Sequence, residues 1–351
     1  MGGLALPQRE PALVTPFWVR IATETSLSPG WLLIAFPAVL YPSYLALEAL
    51  FGRGLAAAMD FTGDWEAAGV PAMTTSLGYL VMMYVYATRG TIRDLDALGP
   101  VLRGGEGAIA ELRRQLTQFG RRGLWIGGLA GFAVVCVTGE LTVERWSRLL
   151  AGEFSLRDAY LAVISIPTWI VIGRGTVFLI DLARLYSRIG EQHVAVDLLD
   201  LGPLTPLTRH GLRIVLFIVI LMAVFSPFGS DPRGAALLLA ALFWNLTLLL
   251  PVFLLPLRGL RRQIRQRKAE ELSRTRGEIN RARETAASLG AGSAEAAGLQ
   301  GLLAFEKRIE SVREWPFDAP TLTRFFLYVA IPLGSWVGGA LVERLLGAAL
   351  D

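Results

Sequence analysis

Three polar residues inside long apolar stretches are the positions at which this chain could do chemistry within a membrane. Arg174 can bind an anion, whereas Asn245 and Ser335 can donate and accept hydrogen bonds along a hydrophilic path. A polar group in hydrocarbon is costly, so it usually marks a packing contact or a route for an ion or solute. The sequence therefore predicts Arg174, Asn245 and Ser335 as a candidate intramembrane site.

Arg174 follows the start of its apolar stretch at Tyr160 by 14 residues. A helix rises 1.5 Å per residue, so Arg174 lies about 21 Å deep and roughly 9 Å from the opposite boundary. From this depth the side chain can snorkel to the headgroups. The alternative is an anion or pore site, which Asp181 favours because it lies seven residues later on the same helix face.

Asn245 and Ser335 both fall near the middle of their stretches, about 15 Å deep. One interpretation is a hydrogen bond between two helices, which is worth about 1 kcal/mol. The other is a hydrophilic path that the two residues line together near a bend at Pro332.

Motifs for enzymatic chemistry are weak. The DLD pattern at 94–96 is the spacing that some glycosyltransferases use for a metal-bound sugar nucleotide, but it is more typical of a solvated turn. His193, Asp197, Asp200 and His210 share one loop and are interpreted as loop structure. The sequence predicts no catalytic residue, no metal site and no cofactor, and it does not favour an enzyme.

Composition indicates an integral membrane protein. Of 351 residues, 53% are hydrophobic and 18% are charged, and the mean hydropathy is +0.47. Soluble domains carry about 25% charged residues, so the composition argues against a water-soluble fold. The single cysteine, Cys136, excludes an intramolecular disulfide.

Seven apolar stretches approach the ~20 residues that a helix needs to cross the hydrocarbon core. The fold class predicted from them is all-α, a polytopic bundle of about seven transmembrane helices. The predicted spans are residues 31–51, 70–87, 123–138, 160–180, 214–228, 235–257 and 325–341.

The basic residues between the spans predict an orientation, because loops rich in Lys and Arg stay in the cytoplasm. Alternate loops hold 27 basic residues on one side and six on the other, with Arg174 inside a span. The sequence thus predicts an inner (plasma) membrane protein with a cytoplasmic N-terminus and an external C-terminus. The net charge of +4 reflects this bias and does not indicate nucleic acid binding.

The chain divides into a six-span block (1–257), a cytoplasmic insert (258–323) and a final span (324–351). Two apolar helical patterns flank a Gly- and Ser-rich break at 289–293, which predicts a helical hairpin. The insert begins with six cations and no acid. This polybasic run predicts contact with anionic inner-leaflet headgroups, or else a topology anchor. Its members are Arg258, Arg261, Arg262, Arg265, Arg267 and Lys268.

The segments VDLLDLGPL at 196–204 and WPFDAPT at 315–321 resemble segments of uncharacterised bacterial polytopic membrane proteins. The resemblance covers the fourth to seventh spans and implies topology without an activity. The layout of seven spans, an internal N-terminus and an insert before the last helix is also similar to insect chemoreceptor channels. That likeness is one of layout alone.

The function predicted from these features is a channel or transporter-like helical bundle in the lipid bilayer, as a possible homo-oligomer. The alternative is a membrane sensor or scaffold that acts through its cytoplasmic helices and needs no pore. A membrane enzyme would need clustered acids or histidines at one membrane face, for which 197–210 is the single weak instance.

Overall fold

The computed structural model describes residues 13–52, 54–59, 65–137, 147, 151–152, 155–224, 232–289, 294–315, 323–327 and 330. Within these residues the fold is all-α, as predicted, and two strands of two residues each, Leu13–Val14 (β1) and Phe119–Gly120 (β2), pair antiparallel. The helices are α1 (Phe17–Glu24), α2 (Pro29–Phe51), α3 (Leu55–Ala58), α4 (Trp65–Ala97), α5 (Gly105–Thr117), α6 (Arg121–Val137), α7 (Leu156–Arg188), α8 (Thr205–Val224), α9 (Pro232–Leu289) and α10 (Ala294–Ser311).

Prolines inside four of these helices do not end them. α2, α4, α7 and α9 each continue past at least one proline. Neighbouring helices and local adjustments satisfy the freed carbonyl groups in a membrane bundle, so an internal proline is tolerated there. The prolines are Pro37, Pro42, Pro71, Pro167, Pro251 and Pro256.

α4 lies at the centre of the bundle and fixes the direction of its neighbours. Tyr186 of α7 donates to the Thr91 carbonyl at 3.1 Å, and Tyr79 of α4 donates to the Phe217 carbonyl at 2.9 Å. Tyr84 of α4 also packs on Phe178 of α7, so α4 and α7 run in the same direction. The C-terminal ends of α4 and α7 therefore lie beside the start of α8. We name this end of the bundle the hairpin end, because the pair of helices α9 and α10 extends from it.

α9 extends out of the bundle and forms a helix pair with α10 beyond it. It is 58 residues long, roughly 87 Å at 1.5 Å per residue, or nearly three times the ~30 Å hydrocarbon core. Arg276 of α9 forms ion pairs with Glu306 at 2.7 Å and Glu310 at 2.8 Å. Lys268, which lies earlier in α9, donates to the carbonyls of Glu310 and Val312, so α10 runs antiparallel to α9. The cytoplasmic location predicted for this pair stays a prediction. α9 continues without a break at the predicted domain boundary after residue 257.

Arg89 of α4 attaches α1 to the bundle. Its guanidinium donates to the carbonyls of Ala22 at 3.1 Å, Thr25 at 2.7 Å and Leu27 at 2.6 Å. The last carbonyls of a helix have no partner within the helix, and a cation there also complements the helix dipole. Arg89 thus caps α1 from a neighbouring helix and orders the connection to α2.

Among the described residues, four stretches are long and apolar enough to cross a membrane, which supports a membrane location. The predicted span at 70–87 lies within α4, and the predicted span at 123–138 is helical as far as Val137, where the described part of α6 ends; neither is among these four. Most of the last predicted span lies outside the described residues, so the number seven stays a prediction. The four stretches are Pro29–Phe51, Leu156–His193, Gly202–Ala223 and Phe243–Thr285.

Two further helical segments outside the predicted spans bury apolar residues at helical spacing. α5 buries Leu112 and Leu116. α7 continues well past Asp181 and buries Leu182 and Tyr186. Apolar residues at three- and four-residue spacing are therefore covered by neighbouring helices beyond the predicted spans as well as within them.

Candidate functional site

Arg174 lies on α7 against α6. Its guanidinium carbon is 5.4 Å from the centre of the Trp125 indole ring, within the distance for a cation–π contact. The Nε atom of Arg174 is buried and has no hydrogen-bond acceptor among the described residues. Arg174 is thus a half-buried cation held over an aromatic face.

Close approach of two helices places Arg174 there. A Cβ atom on Gly173 would overlap the Gly127 carbonyl oxygen, and one on Gly131 would overlap the Trp169 carbonyl oxygen. Small residues let helix backbones approach in membranes, where dispersion contacts replace the hydrophobic effect between helices. Gly127 and Gly131 of the predicted third span therefore pack within the bundle, against α7.

Asn245 is buried on α9, at 7% exposure. The neighbouring Trp244 donates its indole N–H to the Thr176 hydroxyl at 3.2 Å and so attaches α9 to α7. Ser335 lies outside the described residues. The predicted contact between Asn245 and Ser335 therefore stays a prediction.

Two cations of the polybasic run face α10 or the segment that follows it. Lys268 donates to the carbonyls of Glu310 at 2.7 Å and Val312 at 2.8 Å, at the end of α10. Arg261 lies over the Trp315 ring at 4.3 Å. These side chains hold α10 to α9, a role that sequence reasoning missed because their partners are about 40 residues or more away along the chain.

Two others line a groove of about 490 Å³ between α7 and α9. Arg258 and Arg262 face Arg184 and Arg188 across it, and Arg262 is paired with Glu191 at 2.9 Å. A Cβ atom on Gly259 would overlap the Ser187 carbonyl oxygen, so the two helices are close at this point. The groove places an excess of positive charge at the hairpin end.

The remaining two, Arg265 and Arg267, are exposed, and Arg267 is 3.6 Å from Glu270. The run therefore does not form a single patch, because its side chains point to several faces of α9. Contact with lipid headgroups stays a prediction for the exposed members.

The DLD pattern at 94–96 does not form a solvated turn. It lies in α4, where Asp94 is buried and its carboxylate is 3.0 Å from the Arg213 guanidinium of α8. Burial raises the pKa of the Asp94 carboxyl, and the charge of Arg213 opposes this rise. Asp96 is exposed and pairs with Arg113 at 2.7 Å. The interpretation as a turn was wrong because tertiary packing continues past the apolar part of α4.

His210 is likewise not part of a loop. It lies in α8, is 1% exposed, and stacks on the Tyr186 ring with centroids 4.1 Å apart. Leu204, Leu207 and Ile214 are also buried, at spacings of three and seven residues that could have indicated this helix. The hairpin end thus contains a buried polar core.

A second buried polar cluster lies at the opposite end of the bundle. Arg157 donates to the Tyr44 hydroxyl at 3.1 Å, and both Arg157 and Glu48 are 3% exposed. Glu48 therefore lies inside the bundle, where α7 covers that part of α2.

Within the described residues, no group of three or more His, Cys, Asp or Glu side chains is placed to hold a metal ion. Comparison of the chain with family models, with curated proteins and with solved structures finds no match.

Proposed function

We propose that the protein is a seven-span protein of the bacterial inner membrane, with its hairpin end in the cytoplasm. Four apolar helices of sufficient length support the membrane location. The excess of Lys and Arg on the hairpin side supports the orientation.

Within that membrane, the proposed function is that of a channel or transporter-like bundle whose last span is controlled by the α9–α10 pair. One observation carries this proposal. Phe325, which follows α10, stacks on Phe253 of α9 with ring centroids 4.3 Å apart. Phe325 opens the proposed last span, so its contact with Phe253 supports a start of that span against α9, while Lys268 and Arg276 hold α10 to the same helix. A displacement of the pair would reach the last span through these contacts.

The alternative proposal is a sensor or scaffold that acts through the hairpin end. The buried Asp94–Arg213 pair and the stacked His210 give this end an ordered interior of its own. An end with an ordered interior can present a fixed outer surface, which can bind a second copy of the chain or another protein without any pore.

Flux through reconstituted vesicles tests the first proposal. If Asn245 lines the path, Asn245→Leu should lower the flux of the transported ion or solute at least about tenfold while the protein stays folded. Thr247→Val, an exposed position on the same helix, is the matched control and should leave the flux unchanged. Wild-type vesicles without flux for any ion tested would instead support the sensor or scaffold.

Topology reporters test the proposed orientation. A reporter inserted at Ser293 should lie in the cytoplasm, and one fused after Asp351 should lie outside, because one proposed span, residues 325–341, separates the two positions. Alkaline phosphatase and green fluorescent protein fusions, which are active on opposite sides of the inner membrane, measure this. The same location for both positions would contradict the seventh span.

A further inference from the structure

A second groove lies at the hairpin end, between the start of the described chain, α6 and α7. Its volume is about 370 Å³. Residues 14–18 and Arg20 form one wall, while Arg121, Leu124, Trp125 and Arg174 form the other. Three chain segments that are far apart in sequence therefore meet around one concave surface.

The groove is strongly cationic. Arg20, Arg121 and Arg174 all line it, and no acidic residue is among its lining residues. Across the part of the chain that the structure describes, none of these three guanidinium groups is ion-paired with a carboxylate. Arginine binds phosphate through two parallel N–H donors, and uncompensated guanidinium groups brought together favour a ligand with several anionic oxygens.

Two buried donors on residues that line the groove have no acceptor. The Nε atom of Arg174 and the indole Nε1 atom of Trp18 are both inaccessible to solvent and unbonded within the described residues, and Trp18 is 1% exposed. An unsatisfied buried donor is costly, and more so when it is charged. A ligand oxygen that reached either donor through a rotation of its side chain would remove that cost.

The start of α1 adds further positive potential. Pro16 precedes the helix and gives it no side-chain cap, and Pro16, Phe17 and Trp18 all line the groove. The first N–H groups of a helix lack intrahelical partners and attract anions. The uncapped start of α1 and the three arginines therefore act on the same space.

The mouth of the groove is apolar. Phe17 is 45% exposed and Trp125 is 53% exposed, although both lie beside a cationic surface. Tryptophan is enriched at the headgroup level of membranes, where one part of its ring meets hydrocarbon. A ligand that suits both surfaces carries an anionic head on an apolar body.

We propose that this groove binds the phosphate group of an anionic phospholipid, with the acyl chains along Phe17 and Trp125. Arg20, Arg121 and Arg174 hold the phosphate, and the start of α1 completes the site. The proposal needs a membrane location but does not depend on channel activity, so loss of flux and loss of lipid binding are separate results. It also differs from the polybasic run, whose members lie on α9.

Thermal unfolding of the full chain in a neutral detergent measures this binding. Added phosphatidylglycerol should raise the unfolding midpoint, because a ligand that binds the folded state stabilises it. Arg20→Gln with Arg174→Gln should raise the lipid concentration needed for half of this shift by about tenfold or more, since bonds to charged groups are lost. Arg103→Gln with Arg122→Gln removes the same charge from exposed positions outside the groove. This control should change the lipid concentration needed for half of the shift by less than about twofold.

The same unfolding measurement is made with phosphatidylcholine, glycerol phosphate and inorganic phosphate. A shift with phosphatidylglycerol alone supports the proposal. An equal shift with the two soluble phosphates would overturn the lipid as the source of the phosphate, and an equal shift with phosphatidylcholine would overturn the need for an anionic lipid. If the double variant does not fold, Arg121→Gln, at an exposed position, replaces it. Equal responses of the groove variant and its control would overturn the site.

Discussion

Replacement of Arg213 by methionine is expected to lower the free energy of unfolding by about 3–5 kcal/mol, the range found when one partner of a buried ion pair is removed. The side chains of Arg213 and Asp94 are 14% and 4% exposed, and their charged atoms are 3.0 Å apart. The variant leaves the Asp94 carboxylate buried without its cation. Denaturation by a strong detergent in mixed micelles measures the difference.

The local packing explains why no nearby group can take the place of the Arg213 guanidinium beside Asp94. Arg213 reaches Asp94 across Gly90, where a Cβ atom would overlap the guanidinium. Tyr186 and Thr91 occupy the adjacent space, and the Tyr186 hydroxyl is already bonded to the Thr91 carbonyl. Arg209 and Arg93 contribute charge from a greater distance but are exposed and solvent-screened.

Removal of both charges provides the control. Asp94→Leu combined with Arg213→Met should recover most of the loss, because a buried ion pair and an apolar replacement of similar volume are often close in free energy. A single variant as stable as the wild type, or a double variant less stable than the single one, would contradict an energetically coupled pair.

The pH dependence of the stability lost in Arg213→Met provides an independent test of the same ion pair. Burial raises the pKa of Asp94, and Arg213 opposes this rise, so Arg213→Met should raise the pKa further. A carboxyl with a raised pKa in the folded state contributes stability below its unfolded pKa, and this contribution is lost as the pH rises through the folded value. The penalty of Arg213→Met should therefore shrink as the pH falls towards about 4, the ordinary pKa of an aspartate.

Helical periodicity predicted most of the elements, because apolar spacing alone is enough to locate a helix face. It identified the helical part of the predicted spans and the two helical patterns that become the end of α9 and α10. It failed at Asp94 and His210, since polar residues near a membrane boundary look solvated until the neighbouring helices are known. Charge composition cannot show that Arg213 crosses from α8 to meet Asp94.

The candidate site shows the same limit. Arg174 was identified from its depth within an apolar stretch, a property of one segment. Arg20 and Arg121 lie in other segments and have no unusual local pattern, so only the packing of α1 against α4 and of α6 against α7 brings the three together. Sequence reasoning finds single costly residues, whereas a site built from several segments requires the tertiary structure.

The contact between α6 and α7 gives the other large prediction. Gly173→Ala is expected to lower the free energy of unfolding by about 3 kcal/mol, the upper part of the usual range for overpacking. The added Cβ atom would overlap the backbone carbonyl of Gly127, which cannot move as the end of a side chain can. The helices must separate, and Gly131 then loses its contact with the Trp169 carbonyl as well.

Gly277→Ala is the matched control, because it makes the same chemical change in a helix where no atom lies within 4 Å of the new Cβ. It should raise the free energy of unfolding by about 0.5–1 kcal/mol, since alanine restricts the unfolded chain and favours the helix. Both variants are compared in the same mixed micelles. If the free energy of unfolding falls for Gly173→Ala and rises for Gly277→Ala, the difference follows from the close backbone contact that Gly173 makes and Gly277 lacks. A neutral Gly173→Ala would mean that α6 and α7 can part without loss, in which case their contact does not position Arg174 over Trp125.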